Sequence, residues 1–138
     1  MYNPLICKSQ NATLTKSGVI LLKSIEMSEA QTQEAIIDYC DYLHYPCFHI
    51  PNGGSRNKAE AKRLKRQGVR AGVPDLFFPV SKRGCHGLFI ELKVGRNKAT
   101  EKQLEWIDLL NGQGYKAIVC VGYEQAKETI DWYFADES

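Results

Sequence analysis

The hydrophobic run from Leu88 to Lys93 places the tightest constraint on the fold, because two charged residues interrupt it. Its sequence, Leu-Phe-Ile-Glu-Leu-Lys, predicts a buried strand. Side chains alternate across a strand, so Glu91 and Lys93 share one face while Ile90 and Leu92 share the other. An unpaired buried charge is costly, so these two charges need either each other or a ligand. A divalent metal and a phosphate would satisfy both charges.

A second predicted strand covers residues 75–80 and begins at Asp75, directly after Pro74. The turn-forming segment 81–84, Ser-Lys-Arg-Gly, separates it from the strand predicted over residues 87–93. A connection of this length suits a β-hairpin. We therefore expect the two strands to be antiparallel neighbours.

This hairpin would bring several oxygen ligands and one cation together. Asp75 and Glu91 could point at a common ion, and the Leu92 backbone carbonyl could supply a third oxygen. Such hard ligands suit Mg²⁺, which supports phosphodiester hydrolysis. Lys93 would place a fixed positive charge beside the water or phosphate. The alternative is a simple ion pair between Glu91 and Lys93, with Asp75 as an ordinary strand-start carboxylate.

The distribution of positive charge is more informative than its total. The chain has 138 residues, 43% of them hydrophobic and 25% charged, which predicts a soluble globular domain with one core. The formal net charge is only +2, but seven of the eighteen Lys and Arg residues fall between positions 56 and 70. These are Arg56, Lys58, Lys62, Arg63, Lys65, Arg66 and Arg70.

Most of these cations belong to a helix predicted over residues 57–67 and ended by Gly68. Such a helix could simply be a solvated face, since Lys and Arg favour helices and water. Its density of cations, with Glu60 as the one acid, instead favours contact with phosphates. Binding of this kind would be salt-sensitive and largely independent of sequence.

The remaining segments predict an α/β core, a mixed central sheet flanked by helices. Two capping-box patterns, Ser28 with Gln31 and Thr100 with Gln103, begin helices that extend to about His44 and Gly112. Further strands are predicted over 47–50 and 115–121, and a last helix over 124–134. The resulting order is helix, strand, basic helical insert, strand, strand, helix, strand, helix.

The beginning of the chain carries little information about function. We expect residues 1–27 to be an appendage, in which the apolar run 19–22 could be a strand or a dimer arm, and 28–138 to be the main domain. We expect no signal peptide and no membrane span. Five scattered cysteines without a CxxC pair favour a reducing, cytoplasmic setting and small core residues over disulfides.

At Pro74-Asp75 and Glu91-Leu92-Lys93 the chain resembles the PD-(D/E)XK nucleases. The surrounding residues resemble the VRR-NUC branch of that superfamily, which occurs in small phage and bacterial proteins. They are Gly68 to Leu76 (GVRAGVPDL), Gly87 to Lys93 (GLFIELK), Gln103, Gly114-Tyr115 and the turn Asn52-Gly53-Gly54. The resemblance covers roughly residues 28–134 and implies a restriction-endonuclease-like core.

The resemblance also implies an activity, that of a Mg²⁺-dependent DNA endonuclease in which Mn²⁺ can substitute. It implies Asp75, Glu91 and the Leu92 carbonyl as metal ligands and Lys93 as the catalytic lysine. It implies a further carboxylate ligand on the first helix and Gln103 as an active-site amide. The capping box alone explains Gln103 equally well.

We assign the first-helix carboxylate to Glu34. The apolar stripe predicted for that helix consists of Ala30, Ile37, Cys40 and Leu43. Glu34 lies one turn before Ile37 and borders this stripe. Glu29 and Asp38 are the other acids considered on the same helix.

Small members of the family resemble four-way-junction resolvases, which implies branched DNA as the substrate, a homodimer, and roles in DNA repair and recombination. The alternatives are a restriction-type or recombination exonuclease of the same superfamily, and a non-catalytic DNA-binding module. The spacing of His44, His49 and His86 forms no metal pattern. We expect Trp106 and Trp132 to serve the core.

Overall fold

The structure, a computed structural model, describes residues 26–52 and 57–137, together with the backbone of two short strands near the start of the chain. These strands, β1 (Ala12–Leu14) and β2 (Ile20–Leu22), pair in antiparallel fashion. The strand alternative for the apolar run 19–22 is therefore confirmed for its backbone. The proposed boundary between residues 27 and 28 stays a prediction.

The other elements follow the order that the sequence predicts. They are α1 (Glu29–Tyr42), β3 (Phe48–His49), α2 (Lys58–Arg66), β4 (Leu76–Phe78), β5 (Leu88–Lys93), α3 (Glu101–Gly112), β6 (Lys116–Val121) and α4 (Gly122–Phe134). The basic helix α2 lies between the first and second strands of the central sheet, as expected. Across the described ranges, every helix is too short or too polar to cross a membrane.

The central sheet has four strands in the order β3-β4-β5-β6. β4 pairs antiparallel with both β3 and β5, whereas β5 and β6 are parallel. In the β4–β5 pair, Leu76 lies opposite Ile90 and Phe78 lies opposite Leu88. The hairpin between these strands is confirmed, and so is the mixed α/β architecture.

Helices cover both faces of this sheet. On one face α1 and α4 pack against apolar strand residues, including Leu76, Phe78, Leu88, Ile90 and Leu92. On the other face α3 packs over Phe89 and Ala117 through Ile107 and Leu110. Because strand side chains alternate, Glu91 and Lys93 lie on the same face as Phe89, toward α3.

Helix α1 begins as predicted, but its buried face is rotated from the predicted one and overlaps it only in part. The Ser28 hydroxyl accepts a hydrogen bond from the Gln31 backbone, which confirms the capping box. Its buried residues are Thr32, Ile36 and Cys40, whereas Ala30 of the predicted stripe is exposed. The predicted stripe is correct for Cys40, and Ile37 packs against the core, but the stripe includes the exposed Ala30 and omits the buried polar residue Thr32. Thr32 can be buried since its hydroxyl donates to the Ser28 carbonyl at 2.9 Å.

The loop that leads from α2 into β4 is held from two sides. The Asn52 side-chain amide donates to the Val73 carbonyl at 2.7 Å and to the Arg70 carbonyl at 3.2 Å. On the other side, Gly72 lies so close to α3 that an added Cβ would be 2.7 Å from the Lys102 carbonyl oxygen. Gly72 also has a φ of +92°, which favours glycine. The position of Asp75 therefore depends on this packing.

The substitution Gly72→Ala should lower the free energy of unfolding by about 2–4 kcal/mol, through backbone strain plus the clash with Lys102. Gly68→Ala is the matched control. Gly68 also has a positive φ, +107°, but no atom of the described residues lies within 4 Å of its added Cβ. The control should lose about 1 kcal/mol. Urea unfolding measures both, and equal losses would contradict close packing of Gly72 on α3.

Candidate active site

Polar side chains gather where β4 begins and β5 ends, on the face of the sheet that α3 covers. Asp75 directly precedes β4, and its Oδ2 accepts a hydrogen bond from the Leu92 backbone N–H at 2.9 Å. Glu91 and Lys93 flank Leu92 on β5. The structure therefore brings Asp75, Glu91 and Lys93 together.

Glu91 is almost completely buried, at 1% exposure, and only one of its two carboxylate oxygens has protein partners. Oε1 lies 2.6 Å from Nε2 of Gln103 and 3.0 Å from Nζ of Lys93, and both groups donate to it. Oε2 is buried and has no hydrogen-bond partner among the described residues. Glu91 thus retains one acceptor for a ligand that is not part of the protein.

The charges around Glu91 are unbalanced. Burial, followed by the negative charge of Asp75, raises the pKa of Glu91 to about 7, although Lys93 opposes the shift. Burial tends to lower the pKa of Lys93, but the hydrogen bond and charge of Glu91, with Glu29 and Asp75, outweigh it and the pKa is raised. Lys93 is therefore protonated at neutral pH. Several carboxylates share this single ammonium, so an added cation would relieve their repulsion.

Gln103 uses the two ends of its side chain for different contacts. Its Oε1 accepts from the Thr100 backbone N–H at 2.8 Å, which completes the predicted capping box of α3. Its Nε2 donates to Glu91. Both of the roles considered for Gln103 are thus structurally compatible, since the cap and the site contact are made at once. Its part in catalysis stays a prediction.

The structure does not place Glu34 at the site. Glu34 is exposed and lies two positions from both Thr32 and Ile36, about 200° around the helix from the buried face. Glu29, in the first turn of α1, is half-buried, and its charge acts on both Glu91 and Lys93. The assignment of Glu34 depended on the wrongly placed stripe of α1. The position of Ser28 as N-cap was the available signal, because it puts Glu29 in the first turn.

The Leu92 carbonyl is suitably placed to be a further ligand. Extending the register from Leu76 opposite Ile90 places Pro74 opposite Leu92. The Leu92 N–H is directed toward Asp75, and in an antiparallel pair the carbonyl of the same residue points to the same side. Proline has no N–H to donate to that carbonyl. The hydrogen bonds between β4 and β5 therefore leave the Leu92 carbonyl oxygen available to another partner.

These residues fit a hard cation. Across residues 26–52 and 57–137, no three His, Cys, Asp or Glu side chains form a ready-made metal cage. Mg²⁺ does not require one, because it keeps several waters and is often held by one or two carboxylates. The buried, partnerless Oε2 of Glu91 is the observation that most favours a cation beside Asp75. Glu34 does not belong to this set.

The predicted DNA-binding residues form an exposed surface, which we call the basic surface. It consists of Lys58, Lys62, Arg63, Lys65, Arg66 and Arg70. Helix α2 buries none of its residues. Exposure agrees with both a solvated helix and a phosphate-binding one. The seventh predicted cation, Arg56, lies outside the described residues.

The two tryptophans do not fill the core, so that prediction is wrong. Trp132 is 45% exposed. The Arg83 guanidinium lies over its ring, with the guanidinium carbon 4.6 Å from the centre of the Trp132 ring. Trp106 is half-buried, belongs to neither of the two clusters of buried residues and lines a cavity beside α2. Periodicity alone could not detect this, because both residues border the apolar stripes of their helices. The cysteine prediction holds for Cys40 and Cys120, which are buried.

Comparison with known proteins agrees with this geometry. The model of the VRR-NUC domain family matches residues 27–124. A solved structure described as a VRR_NUC domain protein is similar, with a TM-score of 0.69 and 31% sequence identity. That similarity covers 82% of this chain and 91% of the other. A search of curated proteins found no significant match.

The raised pKa of Glu91 predicts how the stability of the metal-free protein depends on pH. The ordinary value is 4.5 and the folded value is about 7, so the folded state binds this proton more tightly. The resulting stabilisation is complete below about pH 4.5 and is lost as the pH rises through 7. Between pH 5 and 8 in EDTA, the melting temperature should fall by about 8 °C because of this group.

Glu91→Gln should remove that part of the pH dependence, since glutamine does not titrate. Glu34→Gln, a change at an exposed acid on α1, should leave it in place. Calorimetric melting curves at several pH values measure the effect. A profile for Glu91→Gln that parallels the wild-type profile would show that Glu91 does not titrate in this range.

Proposed function

The chain belongs to the VRR-NUC family, and from this we propose that it is a Mg²⁺-dependent endonuclease that cleaves branched DNA as a homodimer. VRR-NUC domains are nucleases, so DNA processing is the general function of the chain. The observation that best supports a hydrolytic site is the convergence of Asp75 on the Glu91–Lys93 segment through Leu92.

In this proposal Asp75, Glu91 and the Leu92 carbonyl hold the metal, and Mn²⁺ can replace Mg²⁺. When bound, the metal would act as a Lewis acid toward the phosphodiester and help to supply a nucleophile. Glu91 would offer Oε2, because Gln103 and Lys93 already occupy Oε1. Gln103 thereby fixes the orientation of the carboxylate.

Lys93 would stabilise the charge that develops during in-line attack on the phosphate. Its pKa is raised, so it carries a positive charge at neutral pH, and it is 8% exposed. A preformed charge in a site with little water is worth more than one in solvent. In-line attack would form the new P–O bond as the bond to the leaving oxygen breaks. The attacking water would lose one proton to solvent and the leaving oxygen would take one up from solvent, while the Lys93 ammonium steadies both water and phosphate.

We expect purified protein with Mg²⁺ to cleave a labelled four-way junction. Asp75→Asn, Glu91→Gln and Lys93→Ala should each reduce the cleavage rate by about 100-fold or more, because each removes a ligand or a charge from the site. EDTA should abolish cleavage. Unchanged rates in all three variants would eliminate this active site.

A matched pair of variants tests which carboxylate of α1 serves the site. Glu29→Gln should lower the rate by about 10-fold, since Glu29 acts electrostatically on Glu91 and Lys93. Glu34→Gln should cleave like the wild type. The opposite result would restore Glu34 as the ligand. Circular dichroism spectra of both variants provide the folding control.

A panel of substrates tests the branched-DNA proposal. A four-way junction, a flap, a linear duplex and a single strand should be cleaved at different rates, with the junction fastest. Preference for linear ends would instead indicate a recombination exonuclease. Binding that persists in EDTA without any metal-dependent cleavage would indicate a non-catalytic module. A four-way junction with two-fold symmetry favours an enzyme with two-fold symmetry, that is, a homodimer. Sedimentation of the purified protein tests whether it is a homodimer.

The basic surface should supply salt-sensitive affinity. Lys62→Ala and Arg66→Ala should each weaken binding to all sequences and reduce the slope of log K against log salt by about 1. Lys116→Ala is the control, because Lys116 begins β6, at the end of the sheet opposite to Lys93. Equal slopes for all three variants would show that α2 does not contact DNA.

A further inference from the structure

A groove between α2 and α3 is a feature of the described surface that the proposed metal site does not use. Two adjoining cavities, of about 480 and 520 Å³, share four lining residues, Asn52, Val69, Arg70 and Trp106. Cavities of about this size accommodate small organic ligands. We call this feature the Trp106 groove, after the largest of the shared side chains.

The floor of the Trp106 groove is apolar and its rim is mostly cationic. Val73, Phe89 and Leu110 contribute to the floor beside the half-buried indole. Lys65 of α2, Arg70 of the following loop and Lys102 of α3 contribute to the rim, and Glu105 of α3 is the one acid among the residues that line this cavity. The two ion pairs among the described residues, Glu91–Lys93 and Lys127–Asp131, involve neither of these lysines. This combination suits a flat aromatic group attached to an anion.

Three separate segments of the chain contribute residues to both the Trp106 groove and the candidate active site, so the two lie next to each other. On α3, Trp106 follows Gln103 by three residues, a rise of about 4.5 Å. On β5, Phe89 precedes Glu91 by two residues, about 7 Å along the strand. The loop that ends at Asp75 lines the groove through Arg70 and Val73. These offsets are comparable to one or two nucleotide steps, given a rise of ~3.4 Å per step along one strand of duplex DNA.

We propose that the Trp106 groove binds one unpaired nucleobase of the DNA substrate, stacked on Trp106, while Lys65, Arg70 and Lys102 contact the adjoining phosphates. The proposal rests on the DNA-processing function proposed above and makes it more specific. Bases inside a duplex are stacked and inaccessible, so only an unpaired base can enter such a groove. The nucleotide concerned lies within about two positions of the scissile phosphate. Trp106 then determines specificity, because it favours substrates in which the base at this position is already unpaired, as in a fork, or can be unpaired at low cost, as at the branch point of a four-way junction.

Tryptophan fluorescence tests binding without any need for cleavage. The chain has two tryptophans, so Trp132→Phe leaves Trp106 as the only one. In EDTA, a forked duplex with single-stranded arms should quench the emission of this variant, whereas a fully paired duplex of equal length should not. The Trp106→Phe variant, which keeps only Trp132, is the matched control and should respond to neither. Absence of quenching by the fork, or equal quenching by both duplexes, would overturn the proposal.

Abasic substrates distinguish base stacking from a structural role of Trp106. Trp106→Leu should bind the fork on the order of 10-fold more weakly, while Trp106→Phe should retain most of the affinity. Removing the base that enters the groove should weaken wild-type binding to a similar extent and should cause no further loss in Trp106→Leu. The abasic position is moved through two nucleotides on either side of the cleavage site.

The outcomes of these tests separate the two proposals. Equal weakening of abasic and intact forks by Trp106→Leu would show that Trp106 merely supports the fold, and would overturn the groove proposal. Loss of cleavage in the Asp75, Glu91 and Lys93 variants would then still support the nuclease proposal. Conversely, base-dependent quenching of Trp106 fluorescence in a protein that cleaves no DNA would support the groove proposal and overturn the nuclease proposal.

Discussion

A carboxylate as deeply buried as Glu91 needs donors, and two neighbouring elements supply them. Lys93 comes from the same strand, and Gln103 comes from the first turn of α3. The capping box that begins α3 therefore also holds the site, because Gln103 contacts both the helix start and Glu91. A shift of α3 along its axis would remove the cap and the site contact together. The start of α3 and the orientation of Glu91 therefore depend on the same side chain, Gln103.

The same burial leaves the charges of the site's own side chains unbalanced. Glu91 keeps a buried oxygen without a partner, and its pKa is raised because water is excluded and Asp75 is close. A structure optimised only for stability would pair that oxygen or replace the charge. Unfavourable arrangements of this kind are typical of functional sites, where a ligand supplies the missing interaction. Apolar packing on both faces of the sheet stabilises the fold and offsets this local loss of stability.

The sequence was sufficient for the features that depend on local patterns. Alternation in β5 put Glu91 and Lys93 on one face, and the short turn after β4 brought Asp75 to them. It was insufficient wherever tertiary packing decides. Burial of Thr32 rotates the inner face of α1, which brings Glu29 rather than Glu34 toward the site. Trp132 stays outside the core and instead contacts Arg83, a turn residue 49 positions away in the chain, which a local pattern cannot reveal.

The loop between α2 and β4 links substrate binding to the chemistry of the site. It begins at the basic surface and ends at Asp75, and both of its sides are fixed, by Asn52 and by the contact of Gly72 with α3. A phosphate bound by Arg70 would therefore have a defined position relative to Asp75. Since a misplacement of about 1 Å can cost a hundredfold in rate, this rigidity matters as much as the identity of the ligands. Asn52 and Gly72 touch no proposed reacting atom, yet the geometry of the site depends on them.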